Sequence, residues 1–288
     1  MDIIPQLVVN SIIAGAIYSI VALGWTLILS TVKFFDLGYG ALTAVGAYAT
    51  FFFLRKLEIG VIPSVFLGIV VASFFGFLFY KIIYTPLRNK DASRLVILLA
   101  SFGLFTAIQA VIALLFTSQF QLLTEVGVTE RTFSILGGII TQTQLIIFFT
   151  SMVIMLSLVV LLRFSTFGKS VTAISDNEEV AKIVGIDTNK IVGYVFIIGS
   201  AIAGLAGILV GFDTGIQPTM GLNLLLKGII ASIIGGIGNI YGAVLGSFLL
   251  GFVENFGIWK ISGEWKDAIA FGLLILFLLL RPRGILKK

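Results

Sequence analysis

The polar stretch GKSVTAISDNEEVAKIVGID, residues 168–187, interrupts a strongly apolar chain, and the interpretation of the remaining segments starts from it. Ser175 and Glu178 stand three residues apart, as in a capping box that begins a helix, and Gly185 stands where such a helix would end. The pattern predicts a short helix, Asp176 to Val184, with negative charge in its first turn.

This predicted helix has two distinct faces. Val180, Ile183 and Val184 fall at i, i+3 and i+4 and share one face, whereas Glu178 and Lys182 pair at i, i+4 on another. Helices shorter than roughly 12 residues are marginal alone in water, so we expect the apolar face to dock against a partner. The alternative is that the segment lies flat on the bilayer surface.

Composition places the chain in a membrane. Of its residues 58% are hydrophobic and 11% are charged, against roughly 25% charged in soluble domains. There is no Cys and no His, which excludes disulfides, thiolate metal sites and histidine-based catalysis, and we expect no cofactor. The net charge of +5 is spread over loops that flank apolar runs, which favours lipid headgroups over nucleic acid as the partner.

Apolar runs long enough to cross roughly 30 Å of hydrocarbon predict the membrane segments. Six are clear: Leu7–Val32, Leu37–Leu54, Val61–Tyr80, Leu95–Thr117, Thr143–Leu162 and Ile191–Phe212. The run Leu224–Val253 follows, broken by glycines at 235, 236 and 238, and then the short run Ala268–Leu280. We therefore predict an all-α integral membrane protein, a bundle of about eight membrane segments in one domain, 1–288, with a polar loop at 163–190.

Loop charges predict the orientation. Basic residues cluster in the loops after the third and fifth segments, whereas the loop 118–142 contains Arg131 with Glu125 and Glu130. By the positive-inside rule the two basic loops and the basic tail are cytoplasmic and the N-terminus is outside. Leu224–Val253 must then return to the side it left, as a re-entrant hairpin, because each half is too short to span. One long tilted helix is the alternative.

Small residues and isolated charges mark the interior of the bundle. Small residues recur four apart in the sixth segment and in the second half of the hairpin, which indicates close helix packing. The positions that we assign to packing are Gly204, Gly207, Gly235, Gly236, Gly238, Gly242 and Gly246. The ionisable residues Asp36, Asp213, Lys227 and Glu254 all stand near predicted helix ends, and this arrangement argues against a proton- or sodium-driven carrier.

Three stretches together resemble the permease subunits of ABC importers for branched-chain amino acids, the Liv-type family. The first is GAIYSIVALG at 15–24 with FDLGYG at 35–40, and the second is the opening stretch, 168–187. The third runs from AGLAG at 203–207 through GGIGN at 235–239 and GAVLG at 242–246 to RPRG at 281–284. The chain departs from the family at Asp36, Tyr39 and Thr172, where Asn, His and Arg are usual.

The resemblance implies an inner-membrane subunit that pairs with a second homologous permease, two cytoplasmic ATP-binding subunits and an external substrate-binding protein, with an amino acid as substrate. ATP hydrolysis is expected in the partners and not in this chain. The resemblance implies that the polar loop couples this subunit to the ATPase. The residues concerned are Gly168, Ser175, Asp176, Asn177, Glu178, Glu179, Val180, Ile183, Val184 and Gly185. Tyr18, Asp36, Tyr39 and Thr43 are candidate residues of the translocation path, with helix capping or packing as the alternative role.

Other functions remain open at this point. Related permeases for urea, short amides or other amino acids share the same features. An ion-coupled secondary transporter would transport without ATPase partners. An intramembrane enzyme is disfavoured because the chain has neither His nor Cys and shows no paired carboxylates within a span.

Overall fold

The structure is a computed structural model that describes residues 3–123, 131–135 and 137–286. The loop residues Glu125 and Glu130 and the tail residues Lys287 and Lys288, which entered the predicted orientation, lie outside the described residues. Helix dominates the described chain, which is an all-α polytopic membrane protein.

The first half of the chain contains most of the long helices. They are α1 (Ile3–Val32), α2 (Gly38–Phe51), α3 (Val61–Phe79), α4 (Thr85–Asn89), α5 (Arg94–Phe116) and α6 (Gln142–Phe164). Phe52–Lys56 and Tyr80–Tyr84 are π-helical, so α3 continues through the second of these into α4 as one segment, Val61–Asn89. Strands β1 (Thr132–Ile135) and β2 (Gly138–Thr141) form an antiparallel hairpin before α6.

The second half begins with two short helices. The elements are α7 (Thr166–Asp176), α8 (Glu178–Ile183), α9 (Thr188–Thr214), α10 (Met220–Gly235), α11 (Ile240–Gly257) and α12 (Lys266–Leu280). Within the described residues, six helical segments are long and apolar enough to cross a membrane: Ile3–Val32, Val61–Asn89, Arg94–Phe116, Gln142–Phe164, Thr188–Thr214 and Ile240–Gly257. Five of the six predicted spans are among them. The remaining one, the second predicted span Leu37–Leu54, is α2 and the start of its π-helical extension.

The chain divides into two compact units. One contains residues 27–124 and 156–225, and the other contains residues 1–26, 125–155 and 226–288. In the first unit α2 packs against α3, α5 and α9, and nearly all of its residues are buried. An apolar run that lies against protein on all sides needs no lipid-facing stripe, which suits the Gly- and Ala-rich sequence of α2.

Glycines set the distance between α2 and α9. A Cβ added at Gly46 would clash with the backbone of Gly204, and one added at Gly207 would clash with the carbonyl of Thr43. On α3, a Cβ at Gly68 would meet the side chain of Thr50. Because lipid supplies little hydrophobic drive between helices, this backbone approach provides much of the packing. These contacts agree with the packing roles assigned to Gly204 and Gly207, which stay predictions.

In the second unit, α11 and the part of α10 from Leu226 onward form the predicted helix pair with a break at the glycines. Gly236 and Gly238 have φ of +117° and +81°, which L side chains rarely adopt, and Asn239 caps α11 by accepting a hydrogen bond from the Gly242 N–H at 3.1 Å. Past the turn, a Cβ at Gly246 would clash with the carbonyl of Ala231, so the two helices touch through backbone. The close-packing role of Gly235, Gly236, Gly238, Gly242 and Gly246 stays a prediction, and the backbone contacts at Gly235, Gly242 and Gly246 agree with it.

The two helices of this pair are longer than predicted, at 16 and 18 residues, and α11 alone is long enough to span. Whether the pair is re-entrant stays a prediction. The tail returns to the break between the helices, where Ile285 and Leu286 donate backbone hydrogen bonds of 2.9 Å to the carbonyls of Ile234 and Gly235. These carbonyls lie at the C-terminus of α10, where a helix leaves acceptors unpaired, so the tail completes the helix end.

Candidate functional site

The polar loop folds into two helices rather than one. α7 is capped by Ser165, whose side chain accepts a hydrogen bond from the Gly168 N–H, and extends from Thr166 to Asp176. α8 is capped by Asn177, whose Oδ1 accepts from the N–H groups of Glu179 at 3.0 Å and Val180 at 3.2 Å. The predicted capping box at Ser175 is wrong, because Ser175 lies inside α7 and the chain turns extended only at Asn177.

The predicted end of the helix is confirmed. Gly185 has a φ of +87°, and its N–H and that of Ile186 donate to the carbonyls of Lys182 and Ala181. This is the usual arrangement in which a glycine in the left-handed region ends a helix and pairs its last carbonyls. Gly168 lies elsewhere, in the first turn of α7, where a Cβ would clash with the backbone of Leu162.

α8 presents an apolar face to the surroundings. Val180 is 52% exposed, Ile183 83% and Val184 69%, whereas the neighbouring Ala181 is buried. The three apolar residues share one face as predicted, and among the described residues nothing covers them. Val180 and Ile183 lie on the six-residue helix and Val184 directly follows it, and an exposed apolar patch of this kind is typical of a contact surface.

Glu178 anchors α8 to the membrane helices of the same unit. Its Oε1 accepts a hydrogen bond from Arg88 Nη2 of α4 at 2.6 Å and forms the predicted i, i+4 pair with Lys182 Nζ at 3.0 Å. Burial raises the pKa of Glu178, but the hydrogen bond from Lys182 and the charge of Arg88 outweigh burial and hold this pKa below its ordinary value. The pair therefore stays ionised and ties the loop to α4.

A polar cleft of about 370 Å³ surrounds this anchor. Its lining includes Arg88, Asp91, Glu178, Lys182 and Asn189. The Nη1 atom of Arg88 is buried and has no hydrogen-bond partner in the described part of the chain. Arg88 was missed from the sequence, where it stood among several loop cations without a signal that distinguished it, because its acidic partner is 90 residues away.

Three of the four candidate path residues lie in the first unit, buried around the start of α2. Asp36 accepts a hydrogen bond from the Tyr84 hydroxyl at 2.6 Å and hydrogen bonds from the N–H groups of Gly38 and Tyr39, so its carboxylate caps α2. Thr43 donates to the Gly40 carbonyl at 2.7 Å. Capping and packing account for the geometry of Asp36 and Thr43, and a role in translocation remains a prediction.

Tyr18, the fourth candidate, lies in the second unit and is buried. Its hydroxyl donates to Glu254 Oε2 at 2.6 Å, and Glu254 Oε1 is 2.5 Å from Lys227 Nζ. The expectation that Lys227 stands near a helix end is wrong, because α10 begins earlier than predicted and places Lys227 at its centre. The sequence signal for the Lys227–Glu254 pair was the presence of one isolated charge of each sign in two consecutive apolar segments.

Across residues 3–123, 131–135 and 137–286, no three acidic side chains converge where they would hold a metal ion. The geometry therefore offers an exposed apolar face on α8, an ion-paired connection from α8 to α4, and a buried Lys–Glu pair in the second unit.

Comparison with solved structures supports this architecture. The chain superposes on a structure titled PsaBC from Streptococcus pneumoniae in complex with Fab with a TM-score of 0.54, covering 98% of this chain and 93% of that chain. The sequence identity is 14%, so this similarity shows the fold alone.

Two curated relatives align along nearly the whole chain. The high-affinity branched-chain amino acid transport system permease protein BraD of Pseudomonas aeruginosa is 32% identical, over 98% of this chain and 95% of that protein. The permease protein LivH of Escherichia coli is 31% identical over the same shares. The family model for the branched-chain amino acid transport system permease component matches residues 7–278. The chain therefore belongs to the branched-chain amino acid transport permease family.

Proposed function

We propose that this chain is the membrane permease subunit of an ATP-driven importer for branched-chain amino acids. The observation that carries the proposal is the exposed apolar face of α8, Val180, Ile183 and Val184, held in place by the Arg88–Glu178 pair in a member of this family. A six-residue helix is far too short to be stable by itself, so its position depends on this anchor, on the Asn177 cap and on a partner.

The partners follow from this surface and from the relatives. α8 binds one of two cytoplasmic ATP-binding subunits, a second homologous permease completes the path through the membrane, and an external binding protein delivers the amino acid. The N-terminus lies outside and the C-terminus in the cytoplasm, in the inner or plasma membrane. Arg88, Lys182 and Lys190 support this orientation, because basic residues concentrate on the cytoplasmic side.

The structure suggests how motion of α8 reaches the membrane. Closure of the ATPase pair on ATP displaces α8, and the Arg88–Glu178 pair passes this displacement to α4. α4 is continuous with α3, and Tyr84 on the same segment binds Asp36 in front of α2. The displacement thus changes the position of α2 and α3 together and switches the access of the bundle, and hydrolysis resets it.

Val180→Asp tests the docking of α8. The reconstituted complex of both permeases, ATPases and binding protein should lose leucine-stimulated ATP hydrolysis, since a charge would be buried in the contact with the ATPase. Glu179→Gln is the matched control on the exposed polar side of the same helix and should hydrolyse ATP at the wild-type rate. Gly185→Val, which strains a φ of +87°, should also uncouple the complex.

Wild-type stimulation in both Val180→Asp and Gly185→Val would show that α8 does not couple the subunits. ATP-dependent uptake of urea, an amide or another amino acid in place of leucine, isoleucine and valine would reassign the substrate. Transport by the isolated subunit in liposomes without ATP would replace the importer with a secondary carrier.

A further inference from the structure

Four ionisable side chains of α10, α11 and α12 meet a tyrosine of α1 in the second unit. Glu254 binds Lys227 Nζ at 2.5 Å through Oε1 and the Tyr18 hydroxyl at 2.6 Å through Oε2. Lys227 Nζ is also 2.8 Å from Asp267 Oδ1, and Lys266 Nζ is 3.8 Å from Glu254 Oε2. We call these five residues the charge cluster. Its two lysines and two carboxylates leave it without net charge.

The centre of the charge cluster is removed from water. The side chain of Glu254 is 0% exposed and that of Lys227 is 11% exposed. Burying an ion pair often stabilises a fold no more than apolar residues of the same volume would, and ionisable groups within membrane segments commonly mark functional sites. Helix packing alone therefore does not account for Lys227 and Glu254.

One side of the charge cluster is suited to exchanging partners. Asp267 is 71% exposed, so water solvates its carboxylate when it releases Lys227, and the exchange is energetically cheap. Tyr18 and Lys266 both contact Oε2 of Glu254, which leaves Oε1 to Lys227. Lys227 Nζ and Glu254 Oε1 are therefore the two groups that can take a new ligand while the rest of the cluster stays in place.

An apolar cluster lies beside these two groups. Ile230 and Ala231 stand one turn after Lys227, Leu250 one turn before Glu254, and Ala270 one turn after Lys266, and all of them are buried together. Residues three or four apart share a helix face, so charged and apolar groups alternate along the same faces. A ligand complementary to this arrangement carries both charges close together and a hydrocarbon group next to them.

We propose that Lys227 and Glu254 bind the carboxylate and the ammonium group of the transported amino acid, with Ile230 and Leu250 beside its hydrocarbon side chain. This inference rests on the proposed function. The carboxylate replaces Asp267 and Glu254 on Lys227, and the ammonium replaces Lys227 on Glu254 Oε1. Because the zwitterion is neutral, its entry adds no net charge to the buried cluster, and the new pairs replace those that open.

The first test compares leucine uptake by the reconstituted complex with that of the double variant Lys227→Met, Glu254→Gln. The double variant removes both buried charges together and keeps the side-chain lengths. Asp267 and Lys266 lose these partners but are 71% and 37% exposed, so water solvates them and the complex should still copurify intact. Uptake should fall about tenfold or more, the usual loss when charged hydrogen bonds to a ligand are removed. The matched control Thr26→Val, Ser232→Ala removes a buried 2.8 Å hydrogen bond of the same unit and should retain uptake.

A second measurement separates ligand binding from helix packing. In the absence of the binding protein, leucine should raise the melting temperature of the wild-type complex, either nucleotide-free or vanadate-trapped. Isoamylamine and 4-methylpentanoate, which each lack one of the two charges, should not. Asp267→Asn should increase the rise in melting temperature that leucine causes, because it removes the carboxylate that competes for Lys227. If the ion pair is purely structural, Asp267→Asn should make the complex less stable and leave the effect of leucine unchanged.

The outcomes distinguish the two proposals. If the wild-type complex imports no branched-chain amino acid, the proposed function and this inference both fail. If the wild type imports leucine and the double variant imports it equally well, the inference alone is wrong. A leucine shift that is absent from the wild type in both states, or unchanged in the double variant, overturns the inference as well.

Discussion

At the scale of single residues, Arg88 and Glu178 determine where α8 lies. The two side chains are 17% and 27% exposed, and Glu178 is shared with Lys182, so the connection is only partly screened by water. Pairs of this kind contribute about 0.5–1 kcal/mol, which is modest for the whole chain but large for a helix of six residues.

Glu178→Gln should therefore loosen α8 without unfolding the bundle. We expect amide hydrogen exchange of residues 179–186 to accelerate about two- to fivefold, the equivalent of about 0.5–1 kcal/mol, with exchange in α9 unchanged. Glu179→Gln, which removes a carboxylate from the same turn but no ion pair with Arg88, is the control. Equal exchange in the two variants would mean that the Arg88–Glu178 pair does not hold the helix.

The same pair predicts a pH dependence. Because the pKa of Glu178 in the folded chain is lowered from 4.5, the stabilisation is complete above this ordinary value and disappears as the pH falls through the lowered one. Exchange protection of α8, corrected for intrinsic rates, should be constant between about pH 6 and 8 and should decrease only below about pH 4. A decrease that begins near neutral pH would contradict this assignment.

Residue patterns identified α8 but misplaced its first residue. Ser175 and Asn177 both have side chains that cap helices, and the spacing of Ser175 to Glu178 favoured the former. The preceding α7, capped by Ser165, extends through Ser175 and makes the first extended residue Asn177. The residue at the break between two consecutive helices caps the second helix. The position of that break depends on the packing of α7.

At the scale of elements, the α2–α9 crossing depends on the absence of side chains. Gly46 and Gly204 pack backbone against backbone, and Gly207 packs against the Thr43 carbonyl. Small residues four apart on α9 predicted the interface, since close approach is the main source of packing energy in lipid. The partner helix was not predictable, because α2 carries small residues on every face and a repeat of four fits several neighbours.

Gly207→Ala should therefore destabilise the protein, although alanine is the better helix former. The added Cβ overlaps a carbonyl that cannot move without displacing α2, and overpacking of this kind costs about 1–3 kcal/mol. The melting temperature of the detergent-purified complex should fall by several degrees. Gly103→Ala on α5, where a Cβ meets nothing within 4 Å, is the matched control and should melt at or above the wild-type temperature. An equal fall in melting temperature in both variants would mean that the loss of any glycine destabilises the protein, and not the clash with Thr43 in particular.

At the scale of the whole molecule, charge asymmetry orients the helices that apolar runs define. The absence of cysteine allows this orientation to be tested directly, because single cysteines can be introduced without a background. Ile183→Cys on α8 and Ile62→Cys at the start of α3 replace exposed side chains. The subunit is expressed without the ATP-binding subunits, which are proposed to cover Ile183. In sealed cells, a membrane-impermeant maleimide should then label Ile62→Cys and not Ile183→Cys, and inside-out vesicles should give the opposite result. The reverse pattern would invert the proposed topology.

The amino-acid sequence by itself determined the class of the protein and most of its helices. The length of an apolar run defines a span, a glycine-rich segment such as 235–238 breaks one, and a polar stretch within an apolar chain marks a functional loop. All three signals arise from local interactions. Tertiary structure alone decided which distant groups meet. Arg88 meets Glu178, Tyr84 meets Asp36, and Lys227 meets Glu254. The reason is physical: a buried charge or hydroxyl must find a partner, but the partner is selected by how helices pack and not by spacing along the chain.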